Sequence, residues 1–430
     1  MASEPAPDPA AVPVPSAPSP RRLPPIWRQR NFMLLWSGQV VSSLGSGMTT
    51  FALPLLILAL TDSPLVAGLA SALYWLPYPL FSLPAGALMD RWNRKRVMLA
   101  CDAIRAINIA SLPLALALDC LTVPQIFANA FIEGTCFVLF NIAEVATLSR
   151  VVDRSQLASA TAQNEAAFGL VGLISPSVGG FLYKSVSPAF PFLFDAISYA
   201  ASVISLSLIN IEFQTERTAA PLPLAAAIRE GLAWLWSRPL IRTMAFLTGG
   251  LNLLGAGSGL AILMLARQRG ADAEALGFMF SIAAAGGVIG ALLTGPLSRR
   301  LSFAQAILGS VWINVVVFPV LLVVPGVLSI GALTAILYAC FPLYNVVQLS
   351  YRLALIPDHL QGRVNSAFRL LALGSQPLGA ALAGILLEQV GVTPTFIVFG
   401  VALVAIAIVA STSTHIRHAR PVGALPAAPN

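Results

Sequence analysis

The chain has 430 residues, 57% of them apolar and only 10% charged, with a net charge of +7. Soluble domains carry about 25% charged residues, so this composition excludes a water-soluble fold, and the positive balance fits basic loops beside membrane spans rather than nucleic-acid binding. Cys101, Cys120, Cys136 and Cys340 sit in or beside apolar runs without a CxxC pair, and the three histidines fall in a loop and a tail, so neither a disulfide framework, a metal centre nor a cofactor is expected.

Residues 1–30 are rich in Pro and Ala and lack the basic start and apolar stretch of a cleaved signal peptide; a disordered tail is predicted. Apolar runs then follow, each near the roughly 20 residues that cross a hydrocarbon core of about 30 Å. Backbone groups in lipid must be satisfied within the segment, so the runs are predicted to be helices. Six fall at 31–60, 65–88, 97–118, 123–148, 158–183 and 189–210, giving a first bundle over 31–210. Residues 211–240 turn polar, and the amphipathic stretch 224–236 predicts a linker helix lying on the membrane surface. Six further runs, at 241–267, 274–297, 303–324, 327–350, 363–388 and 393–414, give a second bundle over 241–414, followed by a disordered tail over 415–430. The fold class expected is an all-α integral membrane protein of twelve helices in two six-helix halves.

Loop charge orients it. Arg91, Arg94, Lys95, Arg96, Arg150, Arg299, Arg300, Arg352 and Arg363 fall on one side, against Lys184, Arg267 and Arg269 on the other. The excess marks the cytoplasmic face and places both termini there, in a plasma (inner) membrane. The halves also look duplicated: a shift of 205 residues carries Arg94 and Lys95 onto Arg299 and Arg300, Asp153 and Gln156 onto Asp358 and Gln361, and Gly169 and Gly179 onto Gly374 and Gly384. Parallel repeats of this kind place a transported molecule between the halves, near mid-bilayer.

Between the second and third spans, Gly86-Ala-Leu-Met-Asp90-Arg91-Trp-Asn-Arg94-Lys95-Arg96 resembles the GxxxDRxxRK signature of the major facilitator superfamily. Gly86 would let a helix approach closely, and Asp90 would pair with basic residues or a helix N-terminus. The five residues Gly86, Asp90, Arg91, Arg94 and Lys95 are therefore candidates for a gate that holds the cytoplasmic side shut. Span five carries Ser175-Pro176-Ser-Val-Gly179-Gly180, similar to the GPxxGG element of proton-driven drug exporters. Pro176 would bend the helix, and Gly179 and Gly180 would allow tight packing. Further stretches, including Asn31 to Trp36, Gln156 to Asn164, Phe194 to Ser198 and Gln376 to Gly379, resemble the branch containing enterobactin exporters and macrolide-efflux proteins. That branch often places an acid after the span-one glycine; here Ser46 follows Gly45.

Ionisable groups inside spans are costly and are functional candidates. Glu133 lies ten residues into span four and Arg105 nine residues into span three from the opposite side, so both sit about 15 Å deep at roughly 1.5 Å per residue. They could face each other. Asp102, one turn from Arg105, could neutralise it on the same helix face; Glu165 and Asp195 are further candidates for proton coupling. Trp36, Tyr74, Phe137, Phe140, Asn252, Tyr344 and Gln348 are candidate cavity walls, apolar with few charges, which favours amphipathic cargo over sugars or phosphorylated metabolites.

No HExxH, GxSxG or Walker-type GxxxxGK[ST] occurs, so an enzyme or an ATP-driven pump is not expected. The resemblance implies a secondary transporter that exports drugs, secondary metabolites or siderophores in exchange for protons, acting as a monomer. A lipid or nutrient carrier on the same scaffold, or a receptor that transports nothing, are the alternatives.

Overall fold

The computed structural model describes residues 24–89, 92–211, 213, 224–357 and 360–419. The first half comprises α1 (Arg30–Thr61), α2 (Pro64–Trp75), α3 (Pro77–Met89), α4 (Arg94–Ala117), α5 (Val123–Val151), α6 (Leu157–Ser185) and α7 (Phe190–Ser207). The second comprises α8 (Leu224–Ser237), α9 (Pro239–Gln268), α10 (Ala273–Arg300), α11 (Phe303–Val320), α12 (Val327–Leu355), α13 (Gln361–Leu373), α14 (Gln376–Gln389), α15 (Val392–Thr412) and the short α16 (Thr414–Arg417). Among the described residues, twelve segments are long and apolar enough to span a membrane, with α2–α3 and α13–α14 each counted as one. Among the described residues there is no strand.

Sequence chemistry sets the boundaries. Ser63, Asn93, Thr122, Asp272 and Ser302 cap the helices that follow them, each side chain accepting a bond from a backbone amide three residues on. Pro77 and Pro377 lack the backbone N–H, and each lies where a span divides, at Leu76 and at Gly374–Ser375. Pro176, by contrast, leaves α6 continuous from Leu157 to Ser185.

An even number of crossings puts the first and last described residues, Pro24 and Ala419, at one end of the bundle, the terminal end; the opposite end is called distal. The halves meet along two pairs, α6 with α10 and α2 with α14. Small residues make both contacts, the packing mode of helices that gain nothing hydrophobic from association in lipid. A side-chain carbon on Gly180 would overlap the Ala273 carbonyl, and one on Gly68 would lie 2.6 Å from the Cα of Gly384. The internal repeat shows in these contacts, because Ala273 is 205 residues on from Gly68 and Gly384 is 205 on from Gly179.

Three details differ from expectation. The amphipathic α8 packs on α13, with Gly231 against the Arg363 backbone and Leu235 wholly buried, instead of lying on lipid alone. Ile26 and Ile416, both assigned to disordered tails, are buried against the ends of the two halves. Each apolar side chain fully removed from water contributes roughly 1.5–3 kcal/mol, enough to order a short flanking turn.

Candidate functional site

Helix α4 packs against α5 and α7 of the first half. It presents Asp102 and Arg105, one turn apart. Arg105 turns away from Asp102 to Glu133 of α5: Nε lies 2.6 Å from Oε1, and Nη2 pairs with the same oxygen. Tyr199 of α7 donates its hydroxyl to that oxygen at 2.8 Å while its ring lies 4.2 Å beneath the guanidinium. Asp102 is instead bonded by the Ser202 hydroxyl at 2.6 Å. A full opposite charge plus an aromatic face outcompetes the same-helix neighbour; buried cation–π contacts add about 2 kcal/mol. Removing one partner of a buried ion pair costs about 3–5 kcal/mol.

The cluster continues to Asp195, one helical turn from Tyr199 and 1% exposed. The Ser46 hydroxyl stands 2.6 Å from the Tyr199 oxygen and 3.5 Å from Asp195 Oδ1, and Ser198 lies 3.4 Å from that oxygen. Glu133 Oε2 and Asp195 Oδ2 are buried with no hydrogen-bond partner among the described residues. One guanidinium thus faces three buried carboxyls, two of which lack a cation among the described residues. Ser46, at the position where the resembling branch carries an acid, meets Asp195 supplied from α7.

Other sequence candidates fall elsewhere. Glu165 is exposed on α6, outside the cluster. Phe140 is buried in the packed interior with Cys101 and Cys136, so it lines no cavity. Trp36 packs with Phe32 near the start of α1. Tyr74 and Phe137 gather with Trp75 in an aromatic group whose ring centroids are 5.3–6.5 Å apart. Tyr344 and Gln348 spend their polar atoms on Thr248 of α9, at 2.8 and 3.2 Å, and Asn252 donates to the Ala372 carbonyl at 2.8 Å. Asp90 and Arg91 lie outside the described residues. A side-chain carbon on Gly86 would meet nothing within 4 Å, Arg94 reaches the Met89 carbonyl, and Lys95 caps the end of α7 through the Ile209 and Ser207 carbonyls at 2.5 and 3.2 Å.

Among the described residues, several hydrogen bonds and ion pairs join the halves at the distal end. Lys184 pairs with Asp272 and Glu274 at 2.8 and 2.9 Å, Glu388 accepts from the Ser63 hydroxyl and the Leu65 amide, and Ser177 meets Ser281 at 2.7 Å. The Ala275 amide and then Lys184 hold the Asp272 carboxyl below its ordinary range. A lowered carboxylate favours the contact fully above its ordinary range and ceases to do so as pH falls through the lowered value. Only the Lys184 share belongs to the junction, since the amide is the cap of α10 itself. Lys184→Gln is therefore expected to raise the distal-open fraction by no more than about fivefold, since exposed ion pairs are weak. Spin labels at the exposed Ser185 and Gln268 measure it by distance distribution. Acidification below about pH 4 shifts the unmodified protein the same way, and shifts Lys184→Gln less. Unchanged distances in the variant rule out the junction as a latch.

A closed distal end, a small-residue seam between two pseudo-repeated halves and a polar cluster inside one of them are features of a transporter. The profile of the family described as "Transmembrane secretion effector", a branch of the major facilitator superfamily, matches residues 22–424. The chain belongs to that family. It is 26% identical to the multidrug efflux pump Tap of Mycolicibacterium fortuitum, over 88% of this chain and 94% of that protein. It is 24% identical to macrolide efflux protein A of Streptococcus pyogenes, over 91% of this chain and 97% of that one. Among solved structures, the nucleoside transporter NupG superposes with a TM-score of 0.73 at 14% identity, covering 91% of this chain and 100% of its own. A bacterial homologue of the lysosomal transporter Spinster, inward-facing, gives 0.67 at 15% identity, covering 91% and 97%. This family member is thus a multi-pass membrane transporter of the major facilitator fold.

Proposed function

We propose that the protein exports small amphipathic molecules from the cytoplasm in exchange for protons, with both termini cytoplasmic. The carrying observation is the line Asp195–Ser46–Tyr199–Glu133 inside the first half, with an unpartnered oxygen on each carboxyl and Arg105 locked to one end. Glu133 holds Arg105 while Asp195 has no cation among the described residues, and the Ser46 and Tyr199 hydroxyls that stand between the two carboxyls can pass a proton from one to the other. The efflux names of the relatives support the direction of transport. Basic loops at the terminal end support the orientation, and the closed distal end then corresponds to a cleft open to the cytoplasm. Asp90, Arg91, Arg94 and Lys95 would close that side in the alternate state, with Lys95 and Arg94 leaving the carbonyls they now occupy.

The test is accumulation of dyes and antimicrobials in an efflux-deficient bacterium expressing the chain. Accumulation should fall severalfold relative to the empty host and recover when a protonophore collapses the gradient. Export that ignores the protonophore excludes proton coupling, and no change in accumulation excludes export of the panel. A reporter fused after His418 must read out as cytoplasmic.

A further inference from the structure

We propose that Arg352 and Arg369 form a binding site for an anionic group, a carboxylate or an acid of similar shape, on the transported molecule. The inference rests on the reading of the chain as an exporter and names the class of its cargo. Sequence reasoning counted Arg352 as a loop charge beyond a span ending at 350, but α12 runs on to Leu355 and carries Arg352 inside the bundle, 6% exposed. Tyr344, Gln348 and Arg352 follow at four-residue spacing on one face of α12, all buried. The Tyr344 hydroxyl and the Gln348 amide nitrogen each meet the Thr248 hydroxyl. At Arg352, by contrast, Nε has no hydrogen-bond partner, and no carboxylate pairs with the guanidinium among the described residues. Its guanidinium lies 3.9 Å over the ring of Phe368 on α13, and its charged neighbour is another cation, Arg369, the next residue along that helix.

Arg369 is exposed, and its guanidinium stands 5.6 Å from the ring of Tyr78 in the opposite half, so it borders the cleft between the halves. The described carboxylates of the second half are engaged elsewhere: Glu230 with Arg363, Asp272 and Glu274 with Lys184, and Glu388 with Ser63. An aromatic face and the carbonyl end of α12 give back only part of what a buried, unpaired guanidinium loses on leaving water. A second cation beside it worsens the balance. The pair becomes favourable when an anion enters between them, and the planar forks of two arginines suit a bidentate carboxylate. The first half shows the contrast, since Arg105 there is saturated by Glu133 and Tyr199.

The test uses the full chain in phosphatidylcholine nanodiscs and a probe pair of equal shape, 1-naphthaleneacetate and its neutral carboxamide, with affinities read by isothermal titration. The unmodified protein is expected to bind the carboxylate at least about tenfold tighter than the amide, the discrimination typical of one charge-assisted bond. Arg352→Gln and Arg369→Gln should each bring that ratio near one and leave amide affinity within about twofold. Arg352→Lys, which keeps the charge and loses the fork, should fall between. Should Arg352→Gln lose its monodisperse profile, the exposed Arg369→Gln decides alone. Equal or absent binding of both probes by the unmodified protein, or an undiminished ratio in the glutamine variants, overturns the proposal. A ratio that vanishes once phosphatidylglycerol is added assigns the site to a lipid headgroup and overturns the cargo reading. Binding needs no gradient, so a missing charge preference leaves the export reading standing, and failed export in cells leaves the site standing.

Discussion

Glu133→Gln should abolish accumulation driven by a pH gradient in reconstituted vesicles while leaving exchange of labelled for unlabelled cargo in the absence of a gradient. Glutamine keeps the size of the side chain and an oxygen for Arg105 and Tyr199, but it cannot take up or release a proton. One charge moved through the membrane potential is worth about 2.3 kcal/mol per 100 mV, which sustains a cargo gradient of roughly fiftyfold; the variant should sustain none. Arg105 loses a full counter-charge, so some stability goes too, and the exchange assay separates that loss from loss of coupling. Accumulation that survives in Glu133→Gln but disappears in Asp195→Asn would move the proton to the other end of the hydroxyl line. Loss of both activities in Glu133→Gln would make Glu133 a structural or cargo-contacting residue. Asp102→Asn should do less, because Asp102 is bonded by Ser202 and stands outside the line.

The twelve spans were legible because hydrophobic length and backbone satisfaction leave few alternatives in lipid. The divisions at Leu76 and Gly374 were not anticipated, although Pro77 and Pro377 mark them; proline in a membrane helix is often absorbed without a break, as Pro176 shows in α6. Depth counted from the span ends was enough to place Glu133 and Arg105 at one level. It could not reveal Tyr199 or Ser46, whose hydroxyls acquire meaning only from the packing of α7 on α1 and α4. Phe140 shows the same blindness in reverse, since an aromatic residue on a span reads alike whether it faces a cleft or a packed interior. Arg352 escaped because the hydropathy of α12 falls off before the helix does. No pattern of period or spacing distinguishes an arginine that anchors at the surface from one drawn inside, and only the helix boundary settles it.

Gly180→Val is expected to hold the distal end open and to reduce turnover by roughly five- to 150-fold without lowering the amount of protein in the membrane. Side-chain carbons there would collide with the Ala273 carbonyl and the Cα of Gly277, both backbone atoms of α10 that cannot swing aside. The overlap is removed only if α6 and α10 separate. Overpacking of this kind costs about 1–3 kcal/mol, which shifts a two-state balance by roughly five- to 150-fold. The cost falls on one state alone, because the contact joins the two halves and neither half uses it internally. Insertion and folding of each six-helix bundle are accordingly spared. Gly68→Val, at the counterpart seam with Gly384, should behave the same way, whereas Gly255→Val, at a site where an added Cβ meets nothing within 4 Å, should transport normally. The labels at Ser185 and Gln268 should report long distances in Gly180→Val and short ones in Gly255→Val. Normal turnover with short distances in Gly180→Val would mean that α6 and α10 slide past the added bulk, and the seam would then be a packing contact with no part in alternating access.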